Sequence, residues 1–182
     1  MKKKMSSAEM TKKLSALENP ALVRLIQELA RNSEENRIYI MRKLCAPADT
    51  KKRLEHYKRM IKEEFFSDDD YLGHLDLRMA KYIISDYLRE TGDADGALEL
   101  RLHYVEMGTR YTNKYGDIDE RFYISMETAF GEVVDELNRR SDAKLIARFR
   151  PRLEKLVRDT EDIGWGYHDG LCGMMEELEE RR

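Results

Sequence analysis

The 182 residues carry 33 Lys and Arg against 36 Asp and Glu, a net charge of -3, with 41% hydrophobic and 38% charged content and three prolines. Such a chain is long enough to bury a core of its own. Its charge balance gives no global pull toward nucleic acid, and no apolar run approaches the roughly 20 residues of a membrane span. Cys45 and Cys172 are far apart and lack a CxxC partner, which suits reduced thiols, and the basic start lacks the apolar stretch of a signal peptide. A cytoplasmic location without membrane contact is expected.

Taken in order, residues 1–7 read as a disordered basic start. Residues 8–46 read as an N-terminal helical hairpin, and residues 47–182 as the main helical part, packed with the hairpin as one domain. A short helix over 8–17 ends at Asn19-Pro20, where Asn19 is the predicted N-cap of the next. Leu22, Leu25, Ile26 and Leu29 mark one face of that helix, Ser33 can cap a third, and Pro47 stops it.

Asp49 then starts a helix with Leu54, Tyr57, Ile61 and Phe65 on one side, and the acidic run 67–70 breaks the chain before a helix ending near Gly92. Asp93 caps the longest pattern, apolar along two stripes, Ala97-Leu100-Tyr104-Met107-Tyr111-Tyr115 and Leu98-Leu102-Val105. A helix apolar on two sides belongs between neighbours. Gly116 ends it. Asp117 and Glu120 form a candidate capping box for the following helix. Ser141 is the predicted cap of the next, in which Pro151 predicts a kink or break. Gly164 suits a helix C-cap, and Trp165 suits a plug in the core.

No segment alternates with period two. The fold class is therefore all-α, an irregular array of eight or nine helices packed as antiparallel hairpins, as a bundle or a short repeat-like superhelix.

Two segments concentrate the unusual residues. Tyr111, Asn113, Tyr115, Asp117, Asp119 and Glu120 close one helix and open another. Trp165, Tyr167, His168 and Asp169 lead into the last helix. If the two meet, they make a cleft for a protein or peptide partner. Glu99, His103 and Glu106 share one helical face, but no His-Glu-x-x-His, paired Glu-x-x-His or cysteine-pair pattern accompanies them. No metal, cofactor or catalytic residue is therefore assigned. Phosphate-binding glycine loops and serine-hydrolase elbows are absent too. The first third of the chain carries Arg24, Arg31, Arg37, Arg42 and Lys43, a possible nucleic-acid contact diluted by Glu28, Glu34 and Glu35.

The run 51–66, the Tyr115-Gly116-Asp117-Ile118-Asp119-Glu120 motif and the Gly164-Trp165-Gly166-Tyr167-His168-Asp169 motif resemble a small, functionally uncharacterised bacterial all-helical family. That resemblance implies the same fold class and no known activity. The expected function is a non-catalytic interaction or adaptor module. A nucleic-acid-associated protein is the alternative, and a metal-dependent enzyme the second alternative.

Overall fold

The computed structural model describes residues 6–45, 50–66 and 75–180. It is 83% helical, and among the described residues it holds nine helices and no strand. The all-α class is as the sequence reads. No helix among the described residues is long and apolar enough to cross a membrane. The chain divides into two compact units, Met1–Ala48 and Asp49–Arg182.

The first unit contains α1 (Ser7–Ser15), α2 (Asn19–Asn32) and α3 (Glu34–Cys45). Ser6 and Glu9 form a reciprocal capping box that starts α1, so a helix begins inside the stretch expected to be disordered. The N-cap of α2 is Glu18, with no side-chain bond, and Asn19 already lies in the first turn. The correction is one residue, since Pro20 is tolerated at the second helical position as well as the first. Ser33 does cap α3, accepting from the Asn36 amide at 3.3 Å. The expected stop at Pro47 and cap at Asp49 lie outside the described residues. None of the residues of α1 and α2 is buried. A groove of about 420 Å3 runs along α2 and α3, lined by Ile26, Leu29, Tyr39, Ile40 and Leu44.

The second unit contains α4 (Thr50–Glu63), α5 (Leu77–Thr91), α6 (Ala94–Tyr115), α7 (Glu120–Arg140), α8 (Ala143–Arg158) and α9 (Tyr167–Glu180). Helix α6, apolar on two sides, packs against α4, α5 and α7, while α9 packs against α7 and α8. Gly92 turns the chain between α5 and α6 at φ 66°, a conformation cheap for glycine alone. Asp93 caps α6 through the Gly96 amide at 2.9 Å.

Two expected caps move. Ser141 closes α7 in the left-handed conformation at φ 50°, and Asp142 caps α8 through the Lys144 and Leu145 amides. Asp119, not Asp117, caps α7, accepting from the Phe122 amide at 2.8 Å. The helix begins two residues later than the capping-box spacing suggests. Pro151 does not break α8, which runs from Ala143 to Arg158. Its missing N–H removes one bond to Ala147, and the packing of Leu145, Phe149, Leu153 and Leu156 holds the helix together across the gap.

The core of this unit is unusually rich in tyrosine. Tyr57, Tyr87, Tyr104, Tyr123 and Tyr167 are all fully buried. A buried phenol needs a partner for its O–H, and each has one. Tyr57 donates to Asp86 at 3.0 Å and Tyr87 to Asp93 at 2.6 Å. Tyr104 meets Ser125 at 2.9 Å, and Tyr167 meets Thr109 at 3.0 Å. Tyr123 is held in the site described next.

Candidate functional site

The two motif segments meet, and Tyr123 joins them. From the first segment, the Tyr123 hydroxyl donates to Asp117 Oδ1 at 3.0 Å and lies 2.8 Å from Thr112 Oγ1. From the second, the Trp165 ring stacks on the Tyr123 ring with centroids 6.4 Å apart, and the Tyr167 ring approaches to 5.3 Å. Burial pushes the Tyr123 hydroxyl above its ordinary value, and Asp117 adds to that against Thr112. It therefore stays a neutral donor to the carboxylate. The ladder continues backward through Phe122 to Tyr111 at 6.3 Å and Tyr115 at a further 4.7 Å. Offset aromatic contacts of this kind add about 0.5–1.5 kcal/mol each beyond the area they bury.

Trp165 does not plug the core. It is 61% exposed, and its backbone sits at φ 64° beside Gly166 at φ 73°. A bulky residue in the left-handed region costs about 1–2 kcal/mol. The buried place expected for Trp165 is taken by Tyr167, which is 0% exposed. Gly164 is likewise no helix cap, since α8 ends at Arg158 with Asp159 as its cap. It lies in the turn, where an added Cβ would come within 3.9 Å of Asp117 Oδ2.

Between the end of α6 and the α8–α9 connection runs a groove of about 510 Å3, lined by Asn113, Asp117, Arg158, Asp159, Glu161 and Asp162 among others. Asn113 bridges its walls by donating to the Asp159 carbonyl at 2.8 Å. Four carboxylates thus face one guanidinium. Asp159 is paired with Lys155. Glu161 and Asp162 make no ion pair among the described residues.

His168 sits behind this groove with both ring nitrogens engaged. Nδ1 lies 3.2 Å from the Val157 carbonyl, which can only accept, so Nδ1 carries the proton; it also lies 3.0 Å from Thr160 Oγ1. Nε2 faces Cys172 Sγ at 3.4 Å. The imidazole ties the start of α9 to the end of α8. Glu120 and Asp169 lie exposed in the first turns of α7 and α9, where their charge suits the helix dipole. Neither lines the groove.

The acids on the face of α6 take part in a different cluster. Glu99, 5% exposed, receives Lys58 at 3.0 Å, Arg148 at 3.0 Å and Arg152. Arg152 also grips Glu106 through both oxygens, at 2.7 and 2.8 Å. His103 donates from Nε2 to the Lys58 carbonyl at 3.1 Å and presents Nδ1 to Glu106 at 3.5 Å. Burial alone would raise the Glu106 carboxyl. The hydrogen bonds from His103 and Arg152 outweigh it and hold the group down at about 2. Glu99 is held below its usual range in the same way, burial opposing and Arg152 and Lys58 prevailing. Among the described residues no group of three His, Cys, Asp or Glu is arranged to hold a metal ion.

In the first unit Arg24, Arg31 and Arg37 are exposed, while the side chains of Arg42 and Lys43 lie outside the described residues. Residues that sequence reasoning missed are Tyr123, Thr112, Arg158 at the end of α8 and the acids at 159, 161 and 162 that follow it. A Tyr four positions past the capping aspartate carries no signal of its own. Comparison with protein-family models, with curated proteins and with solved structures found no match.

Proposed function

We propose that this protein is a non-catalytic interaction module whose acidic groove receives a cationic segment of a partner protein. The observation that carries the reading is Trp165, an exposed indole held in a strained backbone conformation and stacked on Tyr123, whose hydroxyl donates to Asp117 in the wall of the acidic groove. Strain is retained where surrounding structure enforces it, and it concentrates at ligand clamps. Large aromatics are the residues that most often dominate protein interfaces. An exposed indole one ring away from a carboxylate-lined groove suits a segment with more than one Arg or Lys, which gains from the ring quadrupole at one side chain and from ion pairing at another. In this reading the protein works in the bacterial cytoplasm and is kin to the uncharacterised helical family its motifs resemble.

Trp165 is the sole tryptophan of the chain, and it stacks on the ring whose hydroxyl holds Asp117, so its emission reports on the groove through Tyr123. Titration with an acetylated Arg-Gly-Arg-Gly-Arg amide should quench or shift that emission saturably, and an Asp-Gly-Asp-Gly-Asp peptide should not. Binding should weaken with added salt, since exposed charges are screened beyond about 10 Å at 0.1 M. A paired Asp117→Asn, Asp162→Asn variant that remains folded should lose about tenfold in affinity or more. Emission unmoved by the cationic peptide, or moved equally in the variant, would sink the proposal.

A further inference from the structure

We propose that a second groove, framed by α5, α6 and α7, binds a small organic oxyanion, a phosphate or carboxylate carried on a short apolar body. Lys81 and Arg121 are its cationic contacts. The inference is independent of the acidic groove.

The groove has a volume of about 360 Å3, at the small end of the range for ligand sites. Its lining residues include Lys81, Arg101 and Arg121 against one carboxylate, Glu132. Glu132 is spent on Arg101, whose Nε lies 2.7 Å from it. That leaves Lys81 and Arg121 with no carboxylate partner among the described residues. Lys81 is not loose, however. Its Nζ reaches from α5 to α7 and donates to Ser125 Oγ at 3.2 Å. Ser125 is anchored in turn by the buried Tyr104 hydroxyl at 2.9 Å.

Burial pushes the Tyr104 hydroxyl up to about 12. It therefore stays protonated and able to donate to Ser125; when it does so beside the Lys81 ammonium, which donates to the same oxygen, the serine hydrogen is available to a ligand. One ammonium with unused N–H groups, one serine hydroxyl and one guanidinium fork thus line the same small space. This is a donor set suited to an oxyanion. The other hydroxyls nearby are committed to backbone: Thr128 donates to the Ile124 carbonyl at 2.7 Å and Ser85 to the Lys81 carbonyl at 3.2 Å.

Three of the lining residues, Ile84, Ile124 and Ala129, are apolar. Ile84 and Ala129 are buried beneath the groove, and Ile124 stands 52% exposed at its edge. A free inorganic ion would leave that edge unused, and a short alkyl chain would cover it. Hence the ligand class is an amphiphilic anion.

The test is a titration of the 15N-labelled protein with hexyl phosphate, hexanoate and inorganic phosphate, read at the amides of Lys81, Ser125 and the start of α7. Saturable shifts are expected with hexyl phosphate or hexanoate, and whichever binds tighter names the head group. Lys81→Met and Arg121→Gln, both at exposed positions, should each weaken binding about tenfold, the value of one lost charge-assisted contact. Asp117→Asn should leave this binding unchanged. Three results would overturn the proposal: no saturable shift at millimolar concentration of either organic anion, equal affinity for inorganic phosphate, or unaltered affinity in both variants while their circular dichroism matches wild type.

Discussion

Helix α6 runs between two carboxylate clusters that have opposite fates. Along the middle of the helix, Glu99 and Glu106 are met by Lys58, Arg148 and Arg152 until every oxygen has a cation or donor. Past its C-terminal end, Asp117, Glu161 and Asp162 line a groove in which Arg158 is the one guanidinium among the described residues. The first set is largely buried and the second exposed. A buried carboxylate must be paired or it costs several kcal/mol, whereas an exposed one can stay unpaired at little cost. Saturation therefore marks a cluster that holds helices together. Unsaturation beside an exposed indole marks one that is available to something else.

The contrast is sharpest in stability. Glu99→Ala would leave three cations facing a vacated site, and should destabilise the protein by about 3 kcal/mol. Asp162→Ala, at the surface, should change stability by less than about 0.5 kcal/mol. Urea denaturation of the two variants compares them directly. Equal effects would erase the distinction between the clusters.

Acid separates them next. The Glu106 carboxyl is at about 2 when folded against an ordinary value of 4.5. A carboxyl depressed on folding contributes stability that is fully present above 4.5 and is lost as the pH falls toward 2. That contribution is about 3 kcal/mol. Glu106→Gln should flatten the decline in stability between those values, as measured by chemical denaturation at several pH values. A variant with the same acid sensitivity as wild type would assign the decline elsewhere.

The smallest effect on stability should accompany a large effect on the groove. Trp165→Gly relieves the left-handed strain while removing one half-stacked ring, so the melting free energy should move by less than about 1 kcal/mol. Affinity for the Arg-Gly-Arg-Gly-Arg peptide, measured by calorimetry, should nevertheless fall at least tenfold, a hot-spot loss of about 2 kcal/mol. A large loss of stability would instead make Trp165 a packing residue like Tyr167.

Much of the helical framework was legible, because Gly92, Asp93 and Gly116 punctuate it with local chemistry that needs no distant partner. The two-sided apolar pattern of α6 also announced a helix with neighbours on several flanks. The candidate site was legible only in part. Asp117 fitted a capping box on spacing alone, yet Asp119 won the cap and freed Asp117 for the Tyr123 hydroxyl. Trp165 was misread because size argues for burial, while the glycines on both sides argue for an unusual backbone. The second signal was the informative one. The ion cluster was half visible in the Glu99-His103-Glu106 spacing, but Arg148 and Arg152 lie 49 and 46–53 residues from their partners. Nothing local encodes such a pairing.

That cluster also has a thermal consequence. The cost of stripping water from charged groups falls as temperature rises, while the gain from burying apolar surface levels off. The Glu99–Arg152–Glu106 cross-brace therefore gains weight on heating relative to the tyrosine-rich core around it. Near the unfolding midpoint, α4, α6 and α8 are held to one another more by charge than they are at room temperature.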